Sequence, residues 1–188
     1  MDANDTIEML FYALEKGEPI ALSVMRPPTP VFVRGPSTSS GQAFSVPPAR
    51  EAINGAYVYK TFANNGKPKK ILAICGGQVM ANVLEILPEL EQNLDIKIIA
   101  VTSPELFEEL RARDPQKANS ILLDEERQYV IALHNGWPGF MYPFVLPGDY
   151  SKRVIGITEF LKSGPVNEVY QIAGFDPKSL KEKILKAV

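Results

Sequence analysis

Three consecutive residues, Gly76, Gly77 and Gln78, have the types and the position that best suit ligand binding, because they connect a predicted strand to a predicted helix. Two glycines at such a turn can expose backbone N–H groups to an anion, and the start of a helix favours negative charge. A tight turn that lets the helix pack on a sheet also needs glycine. Since neither a G-x-G-x-x-G motif nor a phosphate-loop motif follows, anion binding and a packing turn remain two open interpretations.

Two other residues near predicted strand ends could take part in chemistry. His134, the only histidine, follows a predicted strand, where α/β proteins often form sites. It has no second histidine or suitable cysteine to complete a metal site, and no visible nucleophile to activate. Cys75 could have a lowered pKa at the start of a helix, or could be a small buried apolar residue. We therefore predict no catalytic residue and no metal ligand in this chain.

Composition excludes several classes of partner. The 188 residues carry a formal net charge of −2, which gives no electrostatic reason to expect binding to nucleic acid or to an anionic membrane. No apolar run approaches the roughly 20 residues that cross a bilayer. The single cysteine excludes an intrachain disulfide. It fits a reducing compartment, so we expect a cytoplasmic protein.

Alternating strand and helix patterns predict one α/β domain over residues 50–188. A strand, a helix and a strand within about 30 residues indicate a parallel pair with a right-handed crossover. The first strand is followed by a short turn, so we predict that it is the antiparallel member. The predicted fold is a three-layer α/β/α domain with a mostly parallel, five-stranded sheet, whose strands are residues 56–62, 70–75, 96–101, 129–133 and 153–157.

The first 35 residues carry a separate pattern. Apolar residues recur there at helical spacing, with Asp5 or Thr6 as the predicted helix cap: Ile7, Leu10, Phe11 and Leu14. Residues 19–24 read as a short buried strand. A lone helix and strand cannot close a core, so we expect this unit to belong to a larger fold. Proline, glycine and serine then predict a linker over residues 36–49.

An aromatic segment, Trp137–Phe144, precedes the last predicted strand. Such a segment can form an exposed patch that meets another subunit or domain. It can equally fold over the core. The sequence leaves both interpretations open.

Four segments resemble, in order, motifs of the C-terminal domain of transketolases. Their common order and spacing carry the resemblance, and they are Ile53–Val58, Ile74–Val79, Val101–Phe107 and Gly156–Pro177. The homodimeric pyruvate dehydrogenase E1 component ends in a related domain. Both branches of these thiamine-diphosphate-dependent enzymes therefore fit the sequence.

The resemblance implies a division of the chain. Residues 1–35 would be the end of a pyrimidine-binding domain, residues 36–49 a linker, and residues 50–188 the C-terminal domain. The family's magnesium and diphosphate site needs a Gly-Asp-Gly motif with a downstream asparagine, which this sequence does not supply. We therefore expect thiamine diphosphate and magnesium in the complete enzyme and neither on this chain. Transketolases have an arginine that binds the phosphate of the substrate. Its counterpart here is Arg26, which lies two positions further along the chain than the resemblance would place it.

We interpret the chain as a separately expressed, C-terminal structural or regulatory portion of a transketolase-type transferase, inactive by itself. The complete enzyme would transfer two-carbon ketol units between sugar phosphates. Expected partners are the upstream catalytic domains or subunit of the same enzyme and further copies in a homo-oligomer. The alternatives are the equivalent domain of a 2-oxo acid dehydrogenase E1 and a free-standing α/β module that binds a small anion at Gly76, Gly77 and Gln78.

Overall fold

Five strands form one mixed sheet in the computed structural model, which describes residues 2–17, 19–24, 28–34 and 45–187. The strands are β1 (Ala56–Lys60), β2 (Lys69–Cys75), β3 (Asp95–Val101), β4 (Val130–His134) and β5 (Val154–Ile155). They lie in the order β1-β3-β2-β4-β5, and β1 is antiparallel to β3 while the other pairs are parallel. The predicted five-stranded sheet with an antiparallel first strand is confirmed.

Helices cover both faces of the sheet, which confirms the three-layer prediction. One face packs against α2, α6 and α7, and the other packs against α3 and α4. None of the helices in the described ranges is long and apolar enough to cross a membrane. The helices are α1 (Ala3–Lys16), α2 (Gly77–Leu90), α3 (Pro104–Arg113), α4 (Pro115–Ile121), α5 (Tyr150–Arg153), α6 (Val166–Ala173) and α7 (Pro177–Lys186).

The most buried strand is β3, and all seven of its residues are buried. It lies between β1 and β2 with helices on both sides, which explains its nearly continuous apolar sequence. Its two charged residues have partners. The Asp95 carboxylate accepts hydrogen bonds from the backbone N–H groups of Ala63 and Asn64, each at 2.8 Å, and the Lys97 ammonium lies 2.8 Å from Glu126.

The first helix and the segment after it differ from the sequence prediction. Asp2 caps α1, not Asp5 or Thr6, because its carboxylate accepts the backbone N–H groups of Asn4 and Asp5. The buried strand predicted over residues 19–24 is wrong. These residues have no regular secondary structure and are exposed, since no strand in the described ranges pairs with them.

Candidate functional site

The carboxyl ends of β2 and β4 lie side by side at the point where the crossovers diverge. β2 leads through α2 to β3 on one side, and the chain then returns through α3 and α4 to β4 on the other side. Open α/β sheets often bind ligands at such a point. Cys75 is in register with His134, and Gly76 begins the turn into α2. The fold thus brings together the residues that the sequence singled out at two distant places.

Gly76 is required at this turn by its backbone and by its neighbour. Its φ of 122° lies in a region that residues with a side chain rarely adopt, and a Cβ atom there would lie 2.7 Å from the Asn135 Oδ1 atom. These two facts favour the packing interpretation of the glycine pair. The Gln78 amide donates a hydrogen bond to Asn82 at 2.8 Å, along the helix. Anion binding at Gly76, Gly77 and Gln78 stays a prediction.

The environment of His134 favours the neutral form of its ring. Its Nδ1 atom lies 3.3 Å from the Cys75 carbonyl oxygen, and its ring packs edge-to-face on Phe140. Burial lowers the pKa of His134, so the Nδ1–H tautomer donates to that carbonyl at neutral pH. Over the part of the chain that the structure describes, no three histidine, cysteine or acidic side chains are grouped to hold a metal.

The thiol of Cys75 is expected to react slowly in the folded protein. Burial raises its pKa to about 11, so that little thiolate exists at about pH 8. We expect the reaction with Ellman's reagent at that pH to be about 100-fold slower in the native chain than in concentrated urea. Because Cys75 is the only cysteine, the unfolded chain is its own control. Equal rates in the two states would contradict the buried environment.

The aromatic segment is partly buried against the core and partly exposed. Residues Pro138–Phe144 form a 3-10 helix in which Met141 and Phe144 are buried, and the Phe144 ring stacks on Phe107 at 5.0 Å. Trp137 and Phe140 are exposed. The segment therefore covers the core below α3 and shows two aromatic rings on the surface.

A buried polar cluster attaches α1 to the domain. We call Asp2, Asp5, Arg34 and Tyr57 the polar clasp. The Arg34 guanidinium lies 3.0 Å from Asp2 and 2.8 Å from Asp5, and the Tyr57 hydroxyl donates to Asp5 at 3.1 Å. The Asp2 carboxylate also accepts the Phe32 N–H at 2.8 Å. Burial raises the pKa of Asp5 even beside Arg34, which shows how strongly the site is desolvated.

Sequence reasoning missed this cluster. The Asp2 and Asp5 pair has the spacing of a capping box, which could have placed the helix start. Their other partners lie far along the chain, since Arg34 is 29 residues and Tyr57 52 residues from Asp5. Charge pairs at such separations leave no local signal in a sequence.

The opposite side of α1 is an exposed apolar surface. The four residues that predicted the helix point away from the domain with 47% to 69% of their surface exposed, and we call them the apolar face: Ile7, Leu10, Phe11 and Leu14. Apolar residues after the helix are also exposed, namely Ile20, Leu22, Val24, Val31 and Val33. Several large apolar side chains exposed on one helix face are typical of an interaction site.

Comparison with known proteins decides the family. Residues 55–176, more than half of the chain, match the family model of the transketolase-like TK C-terminal domain. The chain belongs to this family. Transketolase 2 of Vibrio parahaemolyticus is 26% identical to this transketolase-like domain over 125 residues, which are 66% of this chain and 18% of that protein. The resemblance drawn from four sequence motifs is therefore confirmed.

Solved structures give the same result for the fold. The transketolase of Campylobacter jejuni superimposes with a TM-score of 0.53 at 28% identity, over 70% of this chain and 18% of that one. The transketolase of Leishmania mexicana, at 14% identity and a TM-score of 0.52, shares the fold. The transketolase-like chain thus spans 18% of the curated relatives that it matches.

The motifs of this transketolase-like domain make structural contacts with one another and with the rest of the domain. The Gly55 carbonyl accepts the backbone N–H groups of Thr102 and Ser103, which joins the first motif to the third. Gly156 packs so closely on Pro138 that a Cβ atom would lie 2.7 Å from the proline ring. Phe175 of the last motif is fully buried, and its carbonyl accepts the Asn82 amide at 2.8 Å. Arg26 lies outside the described residues.

Proposed function

We propose that this transketolase-like domain is the structural section of a thiamine-diphosphate-dependent enzyme that transfers two-carbon ketol units between sugar phosphates. The observation that carries the proposal is the exposed apolar face of α1. The carboxylates of the polar clasp attach this helix to the domain, so that its apolar side faces outward. The named relatives, all transketolases, support the reaction type. A cytoplasmic, homo-oligomeric enzyme is part of the same proposal, with Trp137 and Phe140 available for contacts between copies.

The described residues do not fit the cofactor. Thiamine diphosphate in enzymes needs a magnesium ion bound to carboxylate and amide oxygens. The one Gly-Asp pair of the sequence ends in Asp149, whose carboxylate lies 3.4 Å from the Arg153 guanidinium. In the described ranges no three acidic, histidine or cysteine side chains are grouped so that they could hold a metal ion. We therefore assign thiamine diphosphate and magnesium to the upstream part of the enzyme.

The partner that we propose for the apolar face is the upstream pyrimidine-binding domain of the same enzyme. In this proposal residues 1–35 complete that domain, residues 36–49 link it, and residues 50–188 form the C-terminal domain. Burying each half-exposed apolar side chain of α1 would contribute about 1 kcal/mol. The exposed apolar residues of the segment 19–24 would extend the same contact.

Reconstitution tests the proposed function. We expect no ketol transfer by this chain alone with thiamine diphosphate, magnesium, a ketose phosphate donor and an aldose phosphate acceptor. Addition of the upstream, cofactor-binding section of the enzyme should produce transfer. Turnover by this chain alone would overturn the proposal. Oxidation of pyruvate by the mixture, without ketol transfer, would assign the chain to the dehydrogenase branch.

A pair of matched variants tests the apolar face. Leu14 on α1 and Ile172 on α6 are both 69% exposed. We expect Leu14→Asp to raise the concentration of this chain needed for half-maximal activity at least tenfold, because a carboxylate would enter an apolar contact. Ile172→Asp places the same charge on another surface and should leave that concentration unchanged. Equal effects of the two substitutions would exclude α1 as the docking site.

A further inference from the structure

An open cleft of about 590 Å³ lies beside β5, at the edge of the sheet. Its walls come from α5, from β5 and from the last turn of α7. The volume is in the range of sites for small molecules. The cleft shares no residue with α1 or with the turn at Gly76.

The charged side chains around this cleft are mostly cationic. Lys152, Arg153, Lys183 and Lys186 line it, and Asp149 is the carboxylate among its lining residues. Two helices also end here, and a helix C-terminus carries about half a negative charge at most. Counted over the described residues, four cations against one carboxylate and two helix ends leave about two positive charges without a counter-charge. The whole chain has a net charge of −2, so the charge of the cleft is opposite to that of the protein.

Two of the cations are held in place, and the other two have no partner among the described residues. Arg153 lies 3.4 Å from Asp149 and donates a hydrogen bond to the Gln128 carbonyl. Lys183 donates to the Ala173 carbonyl at 3.0 Å. Within the described ranges, Lys152 and Lys186 make no ion pair and no side-chain hydrogen bond.

The positive charge also acts on a lysine of β2, which is separated from β5 by β4. Burial, followed by repulsion from Arg153, lowers the pKa of Lys70 on β2. Burial also lowers the pKa of Lys183. Both lysines would gain from an anion nearby, because a negative charge stabilises the ammonium form.

We propose that this cleft binds a small molecule that carries one or two phosphate groups. Lys152 and Lys186 contact the phosphate, while Arg153 and Lys183 hold the walls and add to the positive potential. Lysine binds phosphate as a point charge, and two unpaired positive charges match a dianion. The apolar Val154, Ile155 and Ala187 line the same cleft and can contact the remainder of the molecule. The site is independent of the proposed docking through α1.

Isothermal titration of the 188-residue chain with inorganic pyrophosphate at low, constant ionic strength tests the proposal. We expect binding at a single site, with sulfate at least tenfold weaker at the same ionic strength. The double substitution Lys152→Ala and Lys186→Ala should weaken pyrophosphate binding at least tenfold, because it removes two charge-assisted contacts. Arg153 and Lys183, which hold the walls of the cleft, remain in this variant.

A control variant removes the same charge from another surface. Lys178 is exposed and Lys181 pairs with Glu89, and neither lines the cleft. We expect Lys178→Ala with Lys181→Ala to change pyrophosphate binding less than about twofold. Equal weakening by the two double variants would mean non-specific attraction and would overturn the proposal. No binding by the unmodified chain up to about 10 mM pyrophosphate, or equal binding of sulfate, would overturn it as well.

Discussion

Replacing Gly55 with alanine is expected to lower the free energy of unfolding by more than about 3 kcal/mol. The φ of Gly55 is 77°, and a Cβ atom there would lie 2.2 Å from the Phe107 nitrogen and 2.5 Å from the Ser103 carbonyl oxygen. Both atoms belong to the backbone, so the clash can be relieved only by moving the start of α3 away from β1. Urea denaturation followed by circular dichroism measures the loss.

Gly66 provides the matched control for this substitution. Its φ of 80° is almost the same, but nothing lies within 4 Å of a Cβ atom built there. Gly66→Ala should therefore cost only the strain of the left-handed backbone, about 1 kcal/mol. The difference between the two variants isolates the contact between Gly55 and α3. If both variants lose the same stability, that contact is not what holds the first and third family motifs together.

Replacing Arg34 with methionine is expected to release α1 from the domain. The substitution leaves the buried carboxylates of Asp2 and Asp5 without their cation, and breaking a buried ion pair in this way costs about 3 kcal/mol. Hydrogen exchange of the α1 amides should therefore accelerate about 100-fold, while the amides of β2 and β3 keep their protection. Hydrogen exchange with mass spectrometry resolves the two regions.

Replacement of Arg50 is the control for replacement of Arg34. Arg50 is exposed and forms no ion pair in the described part of the protein. Arg50→Met should leave the exchange of α1 unchanged. Tyr57→Phe removes one hydrogen bond to Asp5 and should accelerate the exchange of α1 by about tenfold. Unchanged exchange in Arg34→Met would mean that α1 is held by other contacts.

The central sheet could be predicted from the sequence because its signals are local. The β-branched runs of β2 and β3 mark buried strands, and the short turn after β1 marks it as antiparallel. The sequence extended the last strand to residues 153–157, whereas β5 is Val154–Ile155. It ends early because Gly156 packs on Pro138 and the Ile157 N–H donates to the Gly136 carbonyl.

The two surfaces with proposed roles could not be predicted, for a common reason. The spacing of Leu10 and Leu14 identifies the apolar side of α1, but only the polar clasp determines that this side faces outward. The cleft exists only because α5 ends beside α7. In both cases the decisive partner is distant in the chain.

The polar clasp has a consequence for the order of assembly. Because the ion pairs that orient α1 lie within one chain, the helix is already ordered before a partner arrives. Association then resembles the docking of two rigid surfaces and avoids most of the entropy loss of coupled folding and binding. Until that association occurs, the apolar face of α1 stays exposed to every other protein in solution. In the proposed assembly, synthesis of this chain and of the upstream section in matched amounts would limit the time for which the apolar face stays uncovered.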